Sequence, residues 1–68
     1  MFENRRKKKE FVEHVFDNIK YANSNGHNVC RIYIEIVPED YLQAAIKALN
    51  KKKYFWEIEG SNLRIQCY

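Results

Sequence analysis

The side chains best suited to chemistry in this sequence are two histidines, two cysteines, two carboxylate pairs and a run of three lysines. His14 and His27 share no ligand-like spacing with a cysteine or carboxylate, and a structural zinc site needs four donors brought together. No metal is expected. Cys30 and Cys67 form no Cys-x-x-Cys pair and fall in strand-like segments. They read as buried thiols rather than as a disulfide, a redox couple or a Cys/His nucleophile. Glu57 and Glu59 lie two residues apart, on one strand face with Arg64 nearby, an arrangement that keeps carboxylates ionised and unsuited to general-acid work. Glu39 and Asp40 complement a helix start. Gly26 and Gly60 are isolated, and Asn25-Gly26-His27 lacks the strand-loop-helix setting of a phosphate loop. The sequence thus points to no enzyme and to no cofactor.

Charge is distributed more tellingly than the net value of +3 suggests. Residues 1–9 carry Arg5, Arg6, Lys7, Lys8 and Lys9 against Glu3 alone, while the rest of the chain holds seven basic residues against eight acidic ones. The N-terminal tip and Lys51, Lys52 and Lys53 are the candidate phosphate contacts. For the second cluster the competing reading is a solvated helix end, where positive charge meets the negative pole of the helix dipole.

These residues need elements to position them. Phe11, Val12, Val15, Phe16, Ile19 and Ala22 repeat at the spacing of one helical face. Continued backwards, that face meets Lys8 and Arg5, so the packed helix is expected to begin near residue 9 or 10. Residues 1–9 then form a basic N-terminal extension and 10–68 a single domain. Asn23 to Asn28 reads as a loop with Gly26 at positive φ. Val29 to Val37 alternates, with Cys30, Ile32, Ile34 and Ile36 on the inner face and Arg31, Tyr33 and Glu35 on the outer. Pro38 suits the first position of a second helix. There Leu42, Ala45, Ile46 and Leu49 form the apolar stripe, widened by Tyr41, Ala44 and Ala48 into a flank for the first helix or for a partner.

The final segment predicts a β-hairpin turning at Gly60-Ser61. A two-residue loop there pairs Glu59 with Asn62, Ile58 with Leu63, Glu57 with Arg64 and Trp56 with Ile65. Continuing outward, it pairs Phe55 with Gln66 and Tyr54 with Cys67. Apolar pairs alternate with pairs containing a polar residue, and a slip of one residue would scramble that sorting. Glycine at the first loop position suits a type II′ turn.

The element order is helix, strand, helix, strand, strand, which predicts an α/β (α+β) two-layer sandwich. A strand-helix-strand crossover gives two parallel strands, the hairpin adds an antiparallel one, and the sheet is expected to be mixed. Two parallel helices cover the face bearing Ile32, Ile34, Ile36, Trp56, Ile58, Leu63 and Ile65. Nothing is left to cover the other face, where Arg31, Tyr33, Phe55, Glu57, Arg64 and Tyr68 become the candidate protein interface. Tyr41 and Ala48 on the helix flank are a second candidate. The leading functional expectation is a small non-enzymatic module that binds another protein. The alternative is nucleic-acid binding through the basic tip and the exposed sheet aromatics. A chain of 68 residues has little core to spare, which adds a homodimer to the expected partners. No apolar run nears the roughly 20 residues of a membrane span and no signal-peptide core follows the charged start, so the expected location is cytoplasmic, without a membrane partner.

Overall fold

The structure, a computed structural model, describes residues 2–67. Its elements are α1 (Phe2–Ser24), β1 (Val29–Tyr33), α2 (Glu39–Lys51), β2 (Trp56–Glu59) and β3 (Asn62–Gln66). Two helices and a three-stranded sheet make an α+β fold. Among the described residues, no helix is long and apolar enough to cross a membrane.

The hairpin forms in the register its sidedness requires. Trp56 pairs with Ile65, Glu57 with Arg64, Ile58 with Leu63 and Glu59 with Asn62. Beyond the last rung, the Gln66 N–H donates to the Phe55 carbonyl (2.9 Å). Gly60 takes φ 63° while Ser61 keeps a negative φ, the sign pattern of a type II′ rather than a type I′ turn.

The sheet is antiparallel throughout, in the order β1-β3-β2, not mixed as the crossover suggested. β1 and β2 do point the same way, but β3 is inserted between them and pairs with both. The central strand of a sheet loses the most water, and β3 brings the residues to match: Leu63 and Ile65 are fully buried, and Cys67 just beyond nearly so. β2 contributes no fully buried residue, and Ile58, expected in the core, is 49% exposed on this edge strand.

β1 is shorter than its alternation implies, and the cause is its partner. Tyr33 pairs with Asn62, the first residue of β3, and the Ile34 N–H makes one more bond to the Ser61 carbonyl (2.9 Å). The neighbouring chain then turns away and leaves no ladder to follow. A turn closes from the Val37 N–H to the Ile34 carbonyl (3.0 Å), and Ile36, expected inside, is 81% exposed. Pro38 stands one place earlier than expected, capping α2 with φ −58° and ψ 145°. Its carbonyl accepts from the Tyr41 and Leu42 N–H groups, while Glu39 and Asp40 occupy the first turn.

Val15, Ile19, Ala45 and Leu49 from the helices close over Ile32, Leu63 and Ile65 in one core. The helices run parallel. Near the start of α2, Lys8 approaches Asp40 (3.6 Å) and the Phe11 and Tyr41 rings lie 6.3 Å apart; near its end, Lys52 lies over the Phe16 ring (5.3 Å). α1 continues as helix back to Phe2, past the first residue of its apolar stripe.

Both helices end with the same backbone closure. After α1, the His27 N–H donates to Ala22 (2.9 Å) and the Gly26 N–H to Asn23 (3.1 Å). After α2, the Tyr54 N–H donates to Leu49 (3.0 Å) and the Lys53 N–H to Asn50 (3.1 Å). Each is a Schellman motif, which needs a left-handed residue. Gly26 (φ 76°) supplies it in the first and Lys53 (φ 64°) in the second.

Candidate functional site

The uncovered sheet face is set by strand alternation. Arg31 and Tyr33 reach it from β1, Arg64 from β3, and Glu57 and Glu59 from β2, so side chains far apart in the chain share one small area. Arg31 lies directly opposite Arg64 in the β1–β3 pairing, a like-charge contact that is unfavourable alone. Carboxylates from the far strand relieve it. Arg64 Nη1 donates to Glu57 Oε1 (3.1 Å) and Arg64 Nε lies 3.9 Å from Glu59 Oε2. Arg31 Nε reaches across the central strand to Glu59 Oε1 (3.2 Å). Pairs this exposed contribute about 0.2–1 kcal/mol each. Their greater effect is to leave the middle of the face charge-balanced, with each guanidinium already engaged.

Aromatic side chains border this network. The Tyr33 hydroxyl donates to Glu35 Oε2 (2.5 Å), and that hydrogen bond holds its pKa above the ordinary phenol value. The Ser61 hydroxyl also approaches Glu35 Oε2 (3.4 Å). Phe55, just before β2, is 77% exposed and Tyr33 is 53% exposed. Arg31, Tyr33, Phe55, Glu57 and Arg64 are thus brought to one surface, as the sequence suggests. Tyr68 lies outside the described residues. On the helix flank, Tyr41 is half-buried against Phe11 of α1, and Ala44 and Ala48 are also half-buried.

The two basic clusters stand apart, as parallel helices require, separated by about the 20 Å length of α2 at 1.5 Å per residue. Arg5, Arg6, Lys7 and Lys9 are exposed on α1, and Lys8 is half-buried beside Asp40. Lys51, Lys52 and Lys53 are all exposed.

Cys30 and Cys67 are both buried, and the β1–β3 register makes them diagonal neighbours on the core face. Burial pushes the Cys30 thiol up to about 11, with the nearby Cys67 adding to the rise, and burial also raises Cys67. A raised pKa leaves little of the nucleophilic thiolate. Among the described residues, no three His, Cys, Asp or Glu side chains converge as metal donors.

Two hollows flank the end of α2, which in the sequence reads only as a charged helix terminus, and a third lies against the sheet. One, between the helices, is lined by Phe16, Lys20, Lys52 and Tyr54 among others. The next is lined by Asn50, Lys53, Tyr54, Phe55 and Trp56, and the third by Phe55, Trp56, Glu57, Arg64 and Gln66. Asn50 Oδ1 accepts the Trp56 indole N–H (2.8 Å) and fixes the ring between the last two. Their signal in the sequence is the uninterrupted run from Lys51 to Trp56, three lysines followed by three aromatics.

No family model, curated protein or solved structure matches the chain.

Proposed function

We propose that this protein is a small non-enzymatic interaction module that binds a partner protein through its uncovered sheet face. One observation carries this reading: Arg31, Arg64, Glu57 and Glu59 satisfy one another's charge on that face while Tyr33 and Phe55 project beside them. Protein interfaces are enriched in aromatic and arginine side chains, which become anchors once water is excluded. A polyanion on the same face would have to compete with Glu57 and Glu59 for both guanidiniums, which favours a protein over nucleic acid there.

Affinity capture from the native cell extract tests the proposal, comparing the wild-type chain with the Tyr33→Ala/Phe55→Ala double variant. Both side chains are exposed, so the variant keeps its circular dichroism spectrum and melting temperature, and it is expected to lose the partner. Retained capture by the folded double variant would sink the sheet-face reading. Sedimentation of the purified chain identifies a second copy of itself as the partner if the mass doubles and the same variant restores the monomer.

A further inference from the structure

We propose that the end of α2, with the hollows on either side of it, is a track for single-stranded nucleic acid that meets the protein-binding face at Phe55 but draws its charge from Lys20, Lys52 and Lys53. Neighbouring hollows share walls: Tyr54 belongs to the first two, and Phe55 and Trp56 to the second and third. The first two hollows therefore adjoin at Tyr54, between the α1–α2 seam and the Lys52-Lys53 turn. The three volumes are about 400, 330 and 140 Å³, the first two inside and the third below the roughly 300–1,000 Å³ typical of small-molecule pockets.

The chemistry of the track matches the two needs of single-strand binding, a cationic path for the backbone and flat side chains on which bases stack. Lys20 and Lys52 line the first hollow and Lys53 the second, opposed there by Asp17 alone. Phe55 presents an exposed ring, and Trp56 is held in orientation by Asn50. Glu57, in the third hollow, is already paired with Arg64, so the favourable path ends near Phe55. Lys53 adds a second indication. A left-handed backbone costs least with glycine, yet here the position carries a lysine, whose charge is thereby set in the middle of the track. An acidic peptide would satisfy the lysines but has no use for the stacking platforms.

The test exploits the single tryptophan in the chain. Wild-type protein is titrated with a fifteen-nucleotide oligothymidylate, and with polyglutamate of equal charge, while Trp56 emission is followed. Saturable quenching by the oligonucleotide is expected. The affinity should fall with salt at a log–log slope of about −2, from Lys20, Lys52 and Lys53 at about 0.7 each. Lys53→Gly relieves the backbone while deleting the charge, so it is expected to fold at least as stably yet bind more weakly, with a slope shallower by about 0.7. Phe55→Ala should weaken binding at least about fivefold through lost stacking, whereas Tyr33→Ala leaves it unchanged. Three results overturn the proposal: unchanged affinity in folded Lys53→Gly, polyglutamate binding as tightly as the oligonucleotide, or a larger loss from Lys7→Glu/Lys9→Glu at the far end of the molecule than from Lys53→Gly.

Discussion

α1 and α2 end with the same pair of backbone hydrogen bonds but place different residues at the left-handed position those bonds require. Behind α1 it is Gly26, and a side chain added there would meet no neighbouring atom within 4 Å. The constraint on Gly26 is thus its φ of 76° and not crowding. Behind α2 it is Lys53, at nearly the same φ of 64°, in a conformation that costs an ordinary residue about 1–2 kcal/mol. What lies beneath differs too. The third residue from the end is Ala22 in α1 and Leu49 in α2, and Leu49 is among the largest fully buried side chains of the core. The closure of α1 is relaxed in its backbone and lightly packed, whereas that of α2 is strained in its backbone and firmly seated. Packing can hold a segment in a conformation its own residue disfavours, and here the buried Leu49, whose carbonyl accepts the Tyr54 N–H (3.0 Å), anchors the closure that contains Lys53.

The largest effect that would break this contrast comes from below. Leu49→Ala removes the seat of the α2 closure and is expected to lower unfolding stability by about 2–5 kcal/mol, a large share of the 5–15 kcal/mol typical of a whole domain. Urea titration measures it, and a loss under about 1 kcal/mol would mean that the backbone bonds alone hold the turn. At the other helix, Gly26→Ala is expected to cost about 1 kcal/mol, because only φ opposes it. The smallest change has the opposite sign. Lys53→Gly should raise stability by about 0.5–1 kcal/mol, the relief of strain less the added freedom of the unfolded chain. If the Gly26 and Lys53 variants moved the urea midpoint in the same direction, the two closures would not differ as described.

How much of this was legible in the sequence depends on whether the controlling contact is local. The hairpin register followed from the alternation of Trp56, Ile58, Leu63 and Ile65 with charged neighbours, because two residues of loop leave one register that sorts both faces. The helical stripes were equally plain, and so was the gathering of Arg31, Tyr33, Glu57 and Arg64, since alternation assigns each to a side. The position of β1 in the sheet was not. A strand-helix-strand crossover fits adjacent strands or strands separated by one, and no residue of β1 announces which edge of the hairpin it meets. The exposure of Ile36 follows from the same long-range fact, because β1 stops where β3 begins. The hollows around Lys53 were hidden for another reason. Three lysines closing a helix have a sufficient explanation in the dipole, and only the fold sets Lys52 against Phe16 and Lys53 beside Phe55 and Trp56.

The central place of β3 also sets a timetable for the molecule's birth. It comes last in sequence of the five described elements, yet among the described residues it is the strand with which both β1 and β2 pair. Until Asn62 to Gln66 are in place, neither earlier strand has the partner it pairs with in the folded sheet. The β2–β3 hairpin closes over a two-residue turn, whereas the β1–β3 ladder joins residues 29 to 37 positions apart, the kind of long-range pairing that slows folding. Until that ladder forms, the edge of β1 stays unpaired, and unpaired strand edges favour aggregation.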